Sequence, residues 1–142
     1  MKRIGNAVSY IIYNKDRSMI LSVKRPSNDR NLPNVWGLPA GTVKKGENSE
    51  DAVLRSGIEK LGVKLKIIKE LNEGNIERKD HILHMKLYEV EIIEGEPKVK
   101  QPYPKVTQYQ KWRWEKPDSL KKAAAKGSLC SRLYLESLNI EW

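Results

Sequence analysis

The chain contains one cysteine, Cys130, and two histidines. A single thiol excludes an internal disulfide. Cys130 falls in a helical pattern beside Leu129, Leu133 and Tyr134, without a nucleophile motif around it, and reads as a small core residue rather than a catalytic thiol. His81 and His84 are three positions apart on a predicted strand, so they face opposite sides and do not share a metal ion. There is no run of about eighteen apolar residues and no segment shaped like a signal peptide, which excludes a helical membrane span and leads us to expect a soluble, cytoplasmic protein. Acidic residues have their own gap: from Pro97 to Trp114 there is no Asp or Glu.

That gap is filled with Lys98, Lys100, Lys105, Lys111 and Arg113, interleaved with Tyr103, Tyr109, Trp112 and Trp114. The whole chain of 142 residues carries a net charge of +9. Such a balance favours anionic partners: nucleotides, nucleic acid or a phosphate-rich surface. Abundant Lys and Glu would equally suit a hyperthermophile, in which surface charge is enriched, and both explanations stay open. The length is that of one domain over residues 1–142 with a real core.

Arg3 to Tyr13 and Met19 to Lys24 read as two strands joined by the turn Asn14-Lys15-Asp16-Arg17, hence a hairpin. A polar loop from Arg25 to Val35 follows. Strands are predicted from Lys64 to Asn72 and from His81 to Ile93, with Asn72 to Asp80 as a polar connection. Gly95 to Thr107, with its prolines, reads as a long irregular loop, and Gln110 to Trp114 as a short strand. Pro117-Asp118-Ser119 starts a helix, Gly127-Ser128 breaks it, and a last helix runs from about Leu129 to Leu138.

Between these strands lies the densest signal, Gly41 to Val63. Gly41 and Gly46 bracket a loop, and Asn48 or Ser49 is placed to cap a helix whose first turn carries Glu50 and Asp51. Leu54, Ile58 and Leu61 recur with helical spacing as one apolar face, and Gly62 stands where a left-handed C-terminal glycine is expected. Gly41, Glu47, Arg55, Glu59, Gly62 and Val63, preceded by Trp36-Gly37-Leu38-Pro39, stand in register with the Nudix box, a motif of glycine, glutamate, then Arg-Glu-apolar-any-Glu-Glu-any-Gly-apolar at fixed spacing. The segment resembles that box. The resemblance implies an α/β fold, an α/β/α sandwich with a mixed sheet, and a cleft for a nucleoside diphosphate linked to another group. In the family, Arg55 would pair with Glu47 to brace the loop, and residues 56, 59 and 60, three and four apart on one helical face, would be glutamates holding a divalent metal.

Here those positions are Ser56, Glu59 and Lys60. Two carboxylates are replaced, one by a cation, and the acid-free run from 97 to 114 offers no substitute. Two readings follow. In the first, an active hydrolase uses Glu59, Glu47 and Arg55 as catalytic residues, with Glu59 and Glu47 holding a weakly bound Mg2+ and Asp51 in reserve. In the second, hydrolysis is weak or lost, and the cleft binds a nucleotide, another phosphate-bearing small molecule or an RNA end. Lys60, Arg25, Tyr103 and Lys105 are then the substrate-binding candidates, with Lys60 able to set an ammonium against a diphosphate in place of metal. Gly57 replaces an apolar residue inside the helix at a cost of roughly 1 kcal/mol relative to alanine, so either the site has slackened or another backbone comes close.

Overall fold

The computed structural model describes residues 2–99 and 108–142. Among the described residues, seven strands form two sheets. The larger has the order β4 (Ala40–Thr42), β1 (Arg3–Ile12), β6 (His81–Glu94), β5 (Lys64–Glu77); the smaller has the order β3 (Trp36–Gly37), β2 (Ile20–Lys24), β7 (Lys111–Glu115). β1 runs parallel to β6 and antiparallel to β4, and β5 is antiparallel to β6, so the larger sheet is mixed.

Side-chain alternation along β1 and β6 divides the interior in two. Val8, Tyr10 and Ile12 of β1, with Tyr88 and Val90 of β6, pack with Ala52, Val53 and Leu61 of the box helix. Ile11, Met85 and Leu87 point the other way, toward α2 (Lys121–Ala125) and α3 (Leu129–Ser137). Burying both faces of the central strands with helices gives the α/β/α sandwich. Cys130 is buried in the second of these cores.

The predicted hairpin is corrected. β1 and β2 meet only in one bridge, Tyr13 to Ile20, and then part into different sheets. Residues 14–19 still turn, with Asn14 N–H donating to Met19 O, but β2 continues beside β7 and β3. Local turn chemistry brings two strands close without choosing their sheet. The connection after β5 is also shorter than expected: β5 continues through Asn72 to Glu77, because its pairing with β6 survives several register shifts. Long-range pairing there overrides the weak strand propensity of the polar Asn and Glu residues. No described helix is long and apolar enough to cross a membrane.

Candidate active site around the box helix

The box helix begins as expected. Asn48 accepts the Asp51 N–H with its side chain, and α1 spans Ser49–Ser56. It then widens into a π-turn over Gly57–Leu61 and stops at Gly62, whose φ of 67° is the left-handed conformation open to glycine. Gly57 is a close-approach position: a Cβ there would come within 2.5 Å of Leu65 Cδ1. The apolar face differs from the predicted one. Ala52, Val53, Ser56, Gly57 and Leu61 are buried, whereas Ile58 is 47% exposed. Leu54 is half-buried. The small residues sit against the sheet because the helix lies close to it, an effect invisible to a count of large apolar side chains.

Arg55 organises the outer edge of the site. Its Nε and Nη2 donate to the two carboxylate oxygens of Glu47 at 2.9 and 3.0 Å, Nη2 also reaches Thr42 O at 2.7 Å, and Nη1 donates to Glu59 at 2.8 Å. Glu47 in turn accepts the Lys44 N–H. Hydrogen bonds from Arg55, then that backbone bond, lower the Glu47 pKa to about 2, and Arg55 is raised above its ordinary value chiefly by Glu47. Glu47, Arg55 and Glu59 are thus brought together as one ion-paired unit.

Ser56 and Lys60 turn to a different partner. Both donate to the carbonyl oxygen of Ala40, Lys60 Nζ at 2.6 Å and Ser56 Oγ at 3.3 Å. Tyr109 closes the same point, its hydroxyl donating to Ala40 O at 3.0 Å while accepting the Ala40 N–H at 2.9 Å. The Lys60 ammonium also lies over the Tyr109 ring, 5.2 Å from its centroid. Ser56 is 1% exposed and is bonded to the Tyr10 hydroxyl at 2.9 Å. A hydroxyl has one proton, so if Ser56 donates to Ala40, Tyr10 is the donor to Ser56. Burial holds Tyr10 far above the ordinary tyrosine pKa and keeps it a neutral hydroxyl.

Two concavities flank this constellation. A cleft of about 250 Å³ is lined by Arg25, Asp29, Lys60, Arg78, His81 and Tyr109, with Cys130 among its apolar lining. A shallower groove of about 750 Å³ lies at the start of α1, lined by Glu47, Glu50 and Asp51 with His84, Lys86 and Tyr88. Alternation along β6 separates them: His81, Leu83 and Met85 serve the cleft, and His84, Lys86 and Tyr88 the groove. The two histidines do face opposite sides.

Of the substrate-binding candidates, Arg25 and Lys60 line the same cleft. Tyr103 and Lys105 lie outside the described residues. Asp51 sits in the groove and not beside Glu59's partner set. Tyr10, the Ala40 carbonyl and Arg78 were missed in the sequence. A buried tyrosine in a strand and a main-chain oxygen carry no sequence mark; Arg78 lies in the stretch expected as a polar connection, with no motif around it. Among the described residues, no group of three or more His, Cys, Asp or Glu is placed to hold a metal ion.

The NUDIX domain family matches residues 3–133, and the chain therefore belongs to the Nudix family. Its fold is similar to that of the MutT protein from Methanosarcina mazei Go1, with a TM-score of 0.78 at 16% identity over 97% of this chain and 95% of that one. A NUDIX hydrolase from Nitrosomonas europaea gives a TM-score of 0.76 at 15% identity, covering 96% and 89%. The MutT NUDIX hydrolase from Burkholderia pseudomallei gives 0.68 at 24%, covering 82% and 86%. At such identities the likeness establishes the fold. Comparison with curated proteins by sequence gave no match.

Proposed function

We propose that this chain, as a single Nudix domain, binds a phosphate-bearing small molecule of the nucleoside diphosphate class in the cleft beside Ala40, with hydrolysis weak or lost. The observation that carries this reading is the Lys60 ammonium bonded to Ala40 O at 2.6 Å. Divalent metals of the kind the family uses need several oxygen ligands. On this face Lys60 already covers the carbonyl, Ser56 is a buried hydroxyl bonded to Tyr10, and Glu47 and Glu59 are both engaged by Arg55. These residues do not fit a magnesium ion. A unit positive charge ~4 Å from Lys60 would meet repulsion of ~4 kcal/mol at the effective dielectric of a protein surface, and a divalent ion about twice that.

The same lysine suits an anion. A fixed ammonium, steadied by a carbonyl and an aromatic face, can meet a diphosphate without a metal bridge. Two measurements test this: hydrolysis of a panel of nucleoside diphosphate derivatives and capped RNA ends in millimolar magnesium, and calorimetric binding of ADP in EDTA. The expected result is ADP binding that survives EDTA, with slow or absent turnover. Brisk magnesium-dependent cleavage that collapses in Glu59→Gln would make the protein an ordinary hydrolase and overturn the reading.

A further inference from the structure

The positive charge of the cleft is not confined to Lys60. Besides Lys60, its lining carries the guanidinium groups of Arg25 and Arg78, and Asp29 is its only carboxylate among the described residues. Asp29 is largely committed, accepting the N–H groups of Asn31 and Leu32 and a long 3.4 Å contact from Arg25. The cations are anchored apart: Lys60 on Ala40 O, Arg78 through Nη2 on Gly127 O at the link before α3. Arg78 Nε is buried and has no hydrogen-bond partner among the described residues. A buried guanidinium N–H left unpaired is costly, and gathered like charges repel. Burial, and then the fields of Arg25 and Arg132, depress the Arg78 pKa below its ordinary value. An anion held between Arg25 and Arg78 would relieve the repulsion between them.

We propose that the Arg25 and Arg78 end of the cleft is a second anion subsite, and that the ligand is a small molecule with two separated phosphate groups, one at Lys60 and one here. The proposal rests on the reading of the cleft as a phosphate-binding site and specifies its ligand. A planar guanidinium presents paired donors matched to phosphate oxygens, and among the described residues Arg78 commits only Nη2 to a protein acceptor. An uncharged nucleobase in the same place would leave the arginines facing each other.

The test is calorimetry on the whole chain in EDTA with two probes that both carry two phosphate groups, ADP with adjacent phosphates and adenosine 3′,5′-bisphosphate with separated ones. The bisphosphate is expected to bind at least tenfold more tightly than ADP. Arg78→Met should remove that advantage by weakening the bisphosphate at least fivefold more than it weakens ADP, and Arg78→Lys should restore part of it; circular dichroism checks that the variants fold. Equal or tighter binding of ADP by the wild-type protein overturns the second subsite and leaves the proposed function standing, and requires no variant to fold. An advantage for the bisphosphate that survives in folded Arg78→Met also overturns it. Binding of neither probe overturns the proposed function together with the subsite.

Discussion

The cleft and the outer groove share Ala7 and are lined by opposite faces of β6, yet they carry opposite charge. Glu47, Glu50 and Asp51 belong to the groove, whereas Arg25, Lys60 and Arg78 belong to the cleft. Within the box segment Glu47 and Glu59 pair with Arg55 and Glu50 and Asp51 stand in the first turn of α1, while Ser56 and Lys60 turn to Ala40. The groove's acids have local structural roles: charge near the first turn of α1 opposes the helix dipole, and Glu47 holds Arg55. The cleft's cations are gathered from the end of β2, the box helix and the turn between β5 and β6. Separate chain segments converging like charges on one cavity point to ligand chemistry more strongly than charges adjacent in sequence do.

This contrast breaks most sharply at Lys60. Lys60→Glu exchanges an attraction worth ~4 kcal/mol at ~4 Å for a repulsion, so after solvent screening ADP affinity in EDTA should fall roughly a hundredfold or more. Calorimetry reads it directly, and an unchanged affinity would reduce Lys60 to a bystander. On the groove side, Arg55→Ala strips the partner from two half-buried carboxylates. Stability should drop by about 2 to 3 kcal/mol in urea unfolding, and a drop under ~0.5 kcal/mol would show the cluster behaves as an exposed surface pair.

Ser56 is bonded from α1 to Ala40, a residue of the cleft. Ser56→Glu would force a carboxylate into the space beside the Tyr10 hydroxyl and Gly41, whose Cβ position is already 3.1 Å from the Ser56 side chain. A loss of about 2 kcal/mol is expected, against about 1 kcal/mol for Ser56→Ala, which only leaves Tyr10 unpaired. Equal stability of the wild type and Ser56→Glu would mean the pocket has room for a metal-binding carboxylate, and the pair Ser56→Glu with Lys60→Glu should then gain magnesium-dependent hydrolysis. The smallest effect is in pH. The Glu47 pKa of about 2 lies below its ordinary value of 4.5, so its stabilising contribution is complete above pH 4.5 and is lost as the pH falls toward about 2. Glu47→Gln should flatten the acid limb of a stability profile over that window while leaving ADP affinity within twofold; an unaltered limb would assign acid sensitivity to other carboxylates.

The residues of Gly41 to Val63 were enough to read the family, a cap at Asn48 or Ser49 and the stop at Gly62, and the resemblance supplied the pairing of Arg55 with Glu47. Each depends on neighbours within one loop and one helix, where spacing nearly determines geometry. The strands were legible too, because their apolar alternation survives in the chain, although Asn72 to Glu77 hid in polar residues until β6 paired with them. Tertiary structure alone decided the partners. It sent β1 and β2 into separate sheets, directed Lys60 and Ser56 to Ala40 while Glu59 turned to Arg55, buried Tyr10 against Ser56, and carried Arg78 into the cleft beside Arg25. Such contacts join residues distant in sequence, and a hydrogen bond to a main-chain oxygen leaves no residue-type signature, so linear spacing could name the charged groups but not the cavity in which their fields add.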